Sequence, residues 1–422
     1  MELKPGYKQT EVGVIPEDWD VRRLSDLAKI RSGIAKNANT SLCNPVTVPY
    51  LRVANVQDGF LDLGEVSSIS IGRDDLERYL LRSGDVLMNE GGDLDKLGRG
   101  AIWRGELKQC IHQNHVFAIR CTSALLPEYL NAWASGKAAR RYFVVAGKQT
   151  TNLASINKTA IGGLPIALPS PREQQQIAEA IDSLSAYEAS IEDLISKKKQ
   201  VKQAAMQELL TGKRRLPGFE GEWEVKRLGE IGSTYGGLTG KTKSDFGNGD
   251  AHYVTFMNVM MNVEVNCACF ERVRVAPNES QNRVLRGDLL FNGSSETPDE
   301  VAMCSLLTSD VSDLYLNSFC FGYRIRADAP VSGLFLAYLV RSNVGREVFK
   351  SLAQGSTRYN LAKSALLDAA IQLPTFGEQT AIATVLSDMD AELASLEARL
   401  GKARELKQGM MQQLLTGKIR TT

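Results

Sequence analysis

The sequence predicts an α/β protein built twice over: two compact globules, each followed by a long helix, with the two helices paired antiparallel as a coiled coil about a pseudo-two-fold axis. Three observations predict it. Segments recur at a period of about 204 residues, too long for a solenoid and right for a duplicated domain. Two of the recurring segments are long, proline-free and apolar at helical spacing. The stretches before them mix short β-rich runs with turn residues and shorter helical patterns. A chain of 422 residues, 43% hydrophobic and 23% charged, can bury two or three domain cores, which excludes disorder or a fibre.

The repeat is carried by short echoes. Trp19-Asp-Val-Arg-Arg-Leu24 returns as Trp223-Glu-Val-Lys-Arg-Leu228, Ser32-Gly33 as Gly236-Gly237, Tyr50 with Asn55 as Tyr253 with Asn258, and Gly84-Asp85 with Asn89 as Gly287-Asp288 with Asn292. The strongest echo is in the helices, where residues 173–213 and 378–418 align without a gap at 18 identities in 41 positions and end in the same Leu-Leu-Thr-Gly-Lys. Each helix is predicted to start after a proline-bearing stretch and to stop at a glycine, Gly212 or Gly417. Steps of four and three from Ile382 select Leu386, Met389, Leu393, Leu396, Leu400, Ala403, Lys407, Met410 and Leu414; the matching row from Ile177 is interrupted by Glu188, Lys198 and Lys202. About 39 residues makes each helix roughly 60 Å long, more than most single domains can cover. The boundaries expected are a globule over 1–171, a helix over 172–212, a second globule over 213–376 and a second helix over 377–422. Antiparallel closure predicts that residues 414–418 return beside the first globule, as 209–213 lead into the second.

Within the globules, Gly84-Asp-Val-Leu-Met88 is predicted as a turn then a strand, and Val116–Ile119 and Phe319–Ile325 as strands. Residues 127–142 and 333–352 have helical spacing. Fifty Lys+Arg against 49 Asp+Glu leave a net charge of +1, so no global field draws the chain to a polyanion. The opening residues lack a charged-then-apolar signal pattern, and no apolar run has spanning length, which predicts a soluble, cytoplasmic protein with no membrane partner. Seven cysteines without a CxxC pair predict reduced thiols. Cys267 and Cys269 are expected as buried strand thiols.

These residues resemble the specificity subunit of type I restriction–modification enzymes over nearly the whole chain. The resemblance rests on Pro-Glu-Asp-Trp19…Leu24, the Gly33 and Gly237 turns, the Gly-Asp pairs at 84 and 287, Leu-Pro…Glu-Gln…Ile at 168–177 and 373–382, and the paired Leu-Leu-Thr-Gly-Lys ends. It implies two target-recognition domains, each reading one half of a split site in double-stranded DNA. It also implies helices that space them and bind two methyltransferase (modification) subunits, further restriction subunits, and no catalysis, cofactor or metal in this chain. A different-class alternative is a helical assembly scaffold whose globules bind protein ligands.

For DNA contact the sequence offers polar loops instead of a recognition helix. In the first half the candidates are Lys96, Arg99, Arg104, Gln113, Asn114, Lys148, Gln149 and Thr150. In the second they are Thr239, Lys241, Lys243, Asn292, Ser294, Asn317, Thr357, Arg358 and Tyr359, with Asn317-Ser318 expected where Asn114-His115 stand. Arginine on guanine and Asn or Gln on adenine give direct readout, whereas Lys and Thr mostly fix register on phosphates. Residues 1–170 carry 21 basic and 18 acidic groups and residues 223–376 carry 15 and 16, so partner subunits are expected to supply much of the phosphate grip.

Three competing chemistries are weaker. Gly236-Gly-Leu-Thr-Gly-Lys-Thr242 looks like a phosphate loop but has Tyr235 where the motif needs glycine. Asp93 and Asp95 with Glu106-Leu-Lys108 suggest a nuclease cluster, yet the second half has no matching set. Cys110, His112, His115 and Cys121 have zinc-type donors, but their alternation along a strand puts neighbours on opposite faces, favouring a structural role. No methyltransferase signature occurs.

Overall fold

The computed structural model describes residues 4–35, 44–92, 97–98, 100–149 and 154–420, with the Gln149 side chain left out. It divides into two compact units, residues 1–192 with 399–422 and residues 193–398, so each unit takes a globule together with part of both long helices.

In the first unit, strands Ala28–Ser32, Val116–Cys121, Asp85–Asn89 and Gly100–Trp103 form an antiparallel sheet in that order. Beside it Ile111–His112 runs parallel to Pro45–Leu51, which pairs antiparallel with Ser67–Gly72. The second unit repeats the pattern. Gly232–Gly236, Cys320–Ile325, Leu289–Asn292 and Cys304–Leu306 form the four-stranded sheet, and Leu314–Leu316, Phe246–Val254 and Glu271–Val273 the three-stranded one. The helical stretches are each two helices, Pro127–Ser135 with Lys137–Ala146 and Gly333–Arg341 with Asn343–Leu352. Gly136 and Ser342 break them by taking extended backbone between the two.

The echoing motifs hold this scaffold. Gly84 and Gly287 both adopt φ +90°, a left-handed turn that glycine enters without a Cβ clash. The aspartate that follows closes the turn by accepting from the backbone N–H of Arg82 (2.9 Å) or Leu285 (2.8 Å). It then clamps an arginine of the neighbouring strand through two bonds, Arg120 on Asp85 and Arg324 on Asp288, at 2.7 and 2.6 Å in both halves. Buried charges need such pairing to be tolerated. Gln174 and Gln379 are likewise buried at the head of each long helix. Gln174 accepts from Leu126 N–H and donates to the Ala124 and Pro169 carbonyls; Gln379 accepts from Ser332 N–H and donates to Pro330 and Pro374.

The long helices span Pro171–Leu209 and Phe376–Leu414, 39 residues each. All ten seam positions of each helix are buried or half-buried, as the four-three spacing predicts. In the first unit Glu188 pairs with Lys407 (2.8 Å) and Glu192 with Arg404 (2.6 Å); in the second Lys198 pairs with Glu392 (2.7 Å) and Lys202 with Asp390. Partner numbers fall as the first helix advances, so the pairing is antiparallel within each unit. The charged seam residues thus meet opposite charges instead of breaking the seam.

The Leu-Leu-Thr-Gly-Lys ends explain themselves in the cores. Leu414 and Leu415 are buried with Trp19, Tyr129, Trp133 and Phe143, and Leu209 and Leu210 with Phe291, Tyr323, Phe335 and Tyr338. Gly417 (φ +63°) and Gly212 (φ +68°) then turn the chain against Trp19 and Trp223, respectively. After each turn an arginine crosses to a glutamate at the head of the other helix. Arg420 bonds Glu173 (2.6 Å) and Asp18, and Arg215 grips Glu378 at 2.5 and 2.6 Å, each guanidinium lying about 6 Å from the adjoining tryptophan ring (5.9 and 6.0 Å). The predicted return of 414–418 beside the first globule is therefore present, with Tyr7 donating to the Gly417 carbonyl at 2.9 Å.

Candidate nucleic-acid interface

Three chain turns meet at one end of each four-stranded sheet. The first leaves the edge strand at Gly33 or Gly237, where a Cβ would collide with the carbonyls of His112 and Gln113, or of Leu316 and Asn317. The second is the turn those carbonyls belong to, residues 113–115 or 317–319. It is closed by Val116 N–H on Gln113 (2.9 Å) or Cys320 N–H on Asn317 (3.0 Å), and tied to the strand beside it by Glu90 N–H on His115 or Gly293 N–H on Phe319, both 2.9 Å. The third is a small hairpin, Lys148–Gln149 with Ala154–Ser155 against Gly91–Gly92, answered by Tyr359–Asn360 against Ser294–Ser295. Sheet geometry fixes the stems, and the described tips carry mostly polar side chains, Phe319 excepted.

This pairing corrects one expected equivalence. Gln113 N–H bonds Leu51 O and Asn317 N–H bonds Val254 O, so Asn317 answers Gln113, Ser318 answers Asn114, and Phe319 answers His115. The expected match of Asn317 to Asn114 is one residue off because apolar Phe319 belongs to the turn and the strand starts only at Cys320.

Of the first-half candidates, Gln113, Asn114 and Lys148 lie at these turns, and the Gln149 backbone continues the hairpin. His115 Nδ1 bonds Glu90 Oε2 at 2.6 Å, and Asn114 Nδ2 lies 3.3 Å from His115 Nε2. Arg104 does not join them. It follows Trp103, which pairs with Asp85 at the opposite end of the sheet, and acts electrostatically on Asp182 of the first long helix. Lys96, Arg99 and Thr150, with Asp93 and Asp95, lie outside the described residues.

In the second half, Thr239, Ser294, Asn317, Thr357, Arg358 and Tyr359 fall at the turns, and a cleft of about 340 Å³ runs among Gly237, Thr239, Ser294, Phe319, Asn360 and Lys363. Tyr359 turns half-buried onto the core. Lys243 is exposed on the turn Lys243–Asp245. Two candidates are corrected. Asn292 is fully buried, donating to the Ser294 and Glu300 carbonyls, as Asn89 does to Val53 and Val56; both serve the scaffold and are out of reach of a ligand. The Lys241 side chain is 5% exposed and bonds Glu279 (2.5 and 2.7 Å) and the Arg274 carbonyl, so its charge is neutralised within the loop.

Sequence reasoning missed Gln281, Asn360, Lys363 and Phe319. Gln281 holds Thr239 by accepting from its N–H (3.1 Å) and donating to its carbonyl (2.9 Å). Phe319 was hidden in an apolar run that reads as strand; the strand is Cys320–Ile325, and Phe319 stands outside it, 57% exposed.

Two of the competing chemistries, the phosphate loop and the zinc site, lack their geometry among the described residues. The stretch after Gly236 leads to a 3-10 turn and then a strand, so no helix N-terminus follows the glycines. His112 is buried, its Nδ1–H donating to Val116 O at 2.7 Å, and burial lowers its pKa to about 4. Burial pushes the Cys110 thiol up to about 12. Among the described residues no three His, Cys, Asp or Glu side chains are placed to hold a metal. Cys267 and Cys269 are exposed on a 3-10 turn, not buried in a strand: the Asn266 side chain caps that turn by accepting from Ala268 N–H.

Away from the turns, each unit carries a groove between the last turns of a long helix and the helix pair of its globule. Met206 and Gln207 with Tyr338 and Ser342 line one of about 740 Å³, and Met411 and Gln412 with Trp133 and Lys137 one of about 710 Å³. These four pairs of lining residues stand 205 positions apart, so this part of the groove is duplicated with the fold.

A type I restriction–modification DNA specificity domain model matches residues 16–203 and again 220–407. The chain belongs to this specificity family. A protein described as the type I restriction enzyme MjaX specificity subunit of Methanocaldococcus jannaschii is 25% identical over 432 residues, covering 98% of this chain and 96% of that one. The EcoKI specificity subunit of Escherichia coli is 30% identical over 178 residues, 41% of this chain and 37% of that one. A chain solved in work on complex assembly and conformational transition of the type I R-M system shares the fold at TM-score 0.60 and 17% identity, over 96% of this chain and 99% of that one. The type I system S subunit of M. genitalium does so at TM-score 0.55 and 11% identity, over 98% of both. Within the specificity family frame, the two matched spans each take in one set of converging turns and most of one long helix. No helix among the described residues is long and apolar enough to cross a membrane.

Proposed function

We propose that this chain is the DNA-specificity subunit of a type I restriction–modification complex, acting in the cytoplasm. Each globule reads one half of a split double-stranded target through the three turns at the end of its sheet. The carrying observation is the double family match laid over a duplicated fold, in which scaffold residues repeat and turn residues differ. Two methyltransferase subunits dock on the duplicated helical surfaces, where the paired Met206 and Met411 grooves offer two like sites. Restriction subunits complete the complex. The chain is non-catalytic, and methyl transfer and cleavage belong to the partners.

The test is to co-express the chain with its modification subunits in a methylation-free host and sequence the methylated bases. A bipartite motif is expected, and exchanging residues 223–375 for a relative's segment changes one half of it. Stable assembly with no sequence-specific methylation would instead support the protein-ligand scaffold.

A further inference from the structure

The two sets of turns differ most at one position. Where the first half has His115 held by Glu90, the second has an exposed phenylalanine with a cation on its face. The Phe319 turn is rigid: its N–H donates to Asn317 Oδ1 (2.9 Å), its carbonyl accepts from Gly293 N–H (2.9 Å), and Gly237 packs against the carbonyls behind it. With its backbone pinned and no room behind, the ring projects outward. A large aromatic left in water on a fixed turn contributes nothing to the core, and such rings at nucleic-acid interfaces pack against bases.

The Arg358 guanidinium lies 5.5 Å from the Phe319 ring centroid, and among the described residues its one bond to a side chain is a long 3.5 Å contact to Ser294 Oγ. Four other cations of this domain are neutralised locally: Lys241 by Glu279, Arg274 by Asp245, Arg283 by Asp313 and Arg286 by Asp310. Arg358 is exposed and has no acidic partner among the described residues, so apart from the long Ser294 contact its planar donors remain free while the ring holds their orientation.

We propose that Phe319 and Arg358 form the base-reading element of the second domain. Arg358 donates two hydrogen bonds to O6 and N7 of a guanine in the major groove, and Phe319 is the positioning residue that buttresses the guanidinium plane. This rests on the DNA-reading role proposed above. Among the described residues the first domain has no equivalent pair, since His115 is engaged by a carboxylate; the two halves therefore read unlike sequences from the same position.

The experiment uses the full complex with its modification subunits, bearing Arg358→Ala, Arg358→Lys or Phe319→Ala, and measures methylation rates on a panel of single-base substitutions in both half-sites. Arg358→Ala is expected to relax discrimination about 10- to 100-fold at one G·C pair of the half-site assigned to residues 223–375. Arg358→Lys keeps the charge and the assembly but loses the same discrimination. Phe319→Ala relaxes that same pair by about 2- to 5-fold. The proposal is overturned by a uniform loss over all sequences, which marks a phosphate contact, by relaxation of different base pairs in the two variants, or by unchanged discrimination. Should the unsubstituted complex methylate without sequence preference, the DNA-reading role itself falls; unaltered variants in a specific complex remove only the Phe319–Arg358 assignment.

Discussion

The two halves of this chain keep one set of residues and change another, and the division is by physical task. Asp85 and Asp288, Gln174 and Gln379, and Glu173 and Glu378 occupy like positions and make like bonds: each closes a turn, caps a buried carbonyl or grips an arginine. At the turn tips His115 becomes Phe319 and Glu90 becomes Gly293. A buried polar group has one set of partners and loses stability without it, whereas an exposed tip is free to vary. The motifs by which the family is recognised are thus the skeleton, and the residues that distinguish one half from the other are the ones proposed above as readers.

If the skeleton is equivalent in both halves, breaking it should cost the same in each, and this is the largest effect expected. Gln174→Ala and Gln379→Ala each remove one acceptor and two donors from a buried site. Each should lose about 3 kcal/mol, since the carbonyl and N–H partners are stranded. Urea unfolding of the two variants measures it. A difference of more than about 2 kcal/mol between them would mean that the like bonds have unlike consequences and that the repeat is only geometric.

An effect confined to acid pH separates the halves. His112 sits where the second half has Leu316, and its pKa is lowered to about 4 from 6.5 by burial. Above pH 6.5 the imidazole is neutral in both the folded and unfolded chain and pH has no hold on it. Between 6.5 and about 4 the unfolded imidazole takes up a proton that the folded one refuses, so stability falls as pH falls, by as much as about 3 kcal/mol over the window. His112→Leu should flatten the acid side of the first unit's stability profile. Parallel profiles for the parent and the variant between pH 4 and 6.5 would show that His112 is not held neutral.

Much of this was legible in the sequence, for reasons that particular residues make clear. The long helices announce themselves because proline, the four-three apolar row and a terminal glycine are local signals, and the observed Pro171–Leu209 and Phe376–Leu414 follow them. Lys407 and Glu188 looked like flaws in two separate rows, and they match only when the rows are laid antiparallel. The candidate interface was half legible. Its polar loops stand out by composition, but whether Asn292 faces water or the core depends on a partner eight residues on, Glu300. Lys241 is silenced by Glu279, 38 residues away. Phe319 was invisible because one residue decides whether an aromatic begins a strand or ends a turn.

The smallest effect expected comes from cutting and rejoining the chain. Arg420 reaches Glu173 and Asp18 while Arg215 reaches Glu378, so the segment after each long helix is fastened in the same way before it meets a tryptophan strand. In the second half the chain runs on from Arg215 through Leu216-Pro217 to Trp223; in the first, the corresponding place is where the segments leading to residues 422 and 1 approach, with Tyr7 bonded to Gly417. The bonds that fasten each side do not require the backbone to be continuous between them. Joining Thr422 to Met1 by a short flexible linker and opening the chain between Pro217 and Gly218 should therefore change the unfolding free energy by less than about 1 kcal/mol, since loop closure depends only weakly on loop length. Urea unfolding of the permuted protein measures this, and methylation mapping of its complex should return both half-sites. A permuted chain that folds but loses more than that, while substitution of Arg215 in the parent is tolerated, would show that continuity at 216–222 and not the arginine latch holds the second unit's tryptophan strand in place.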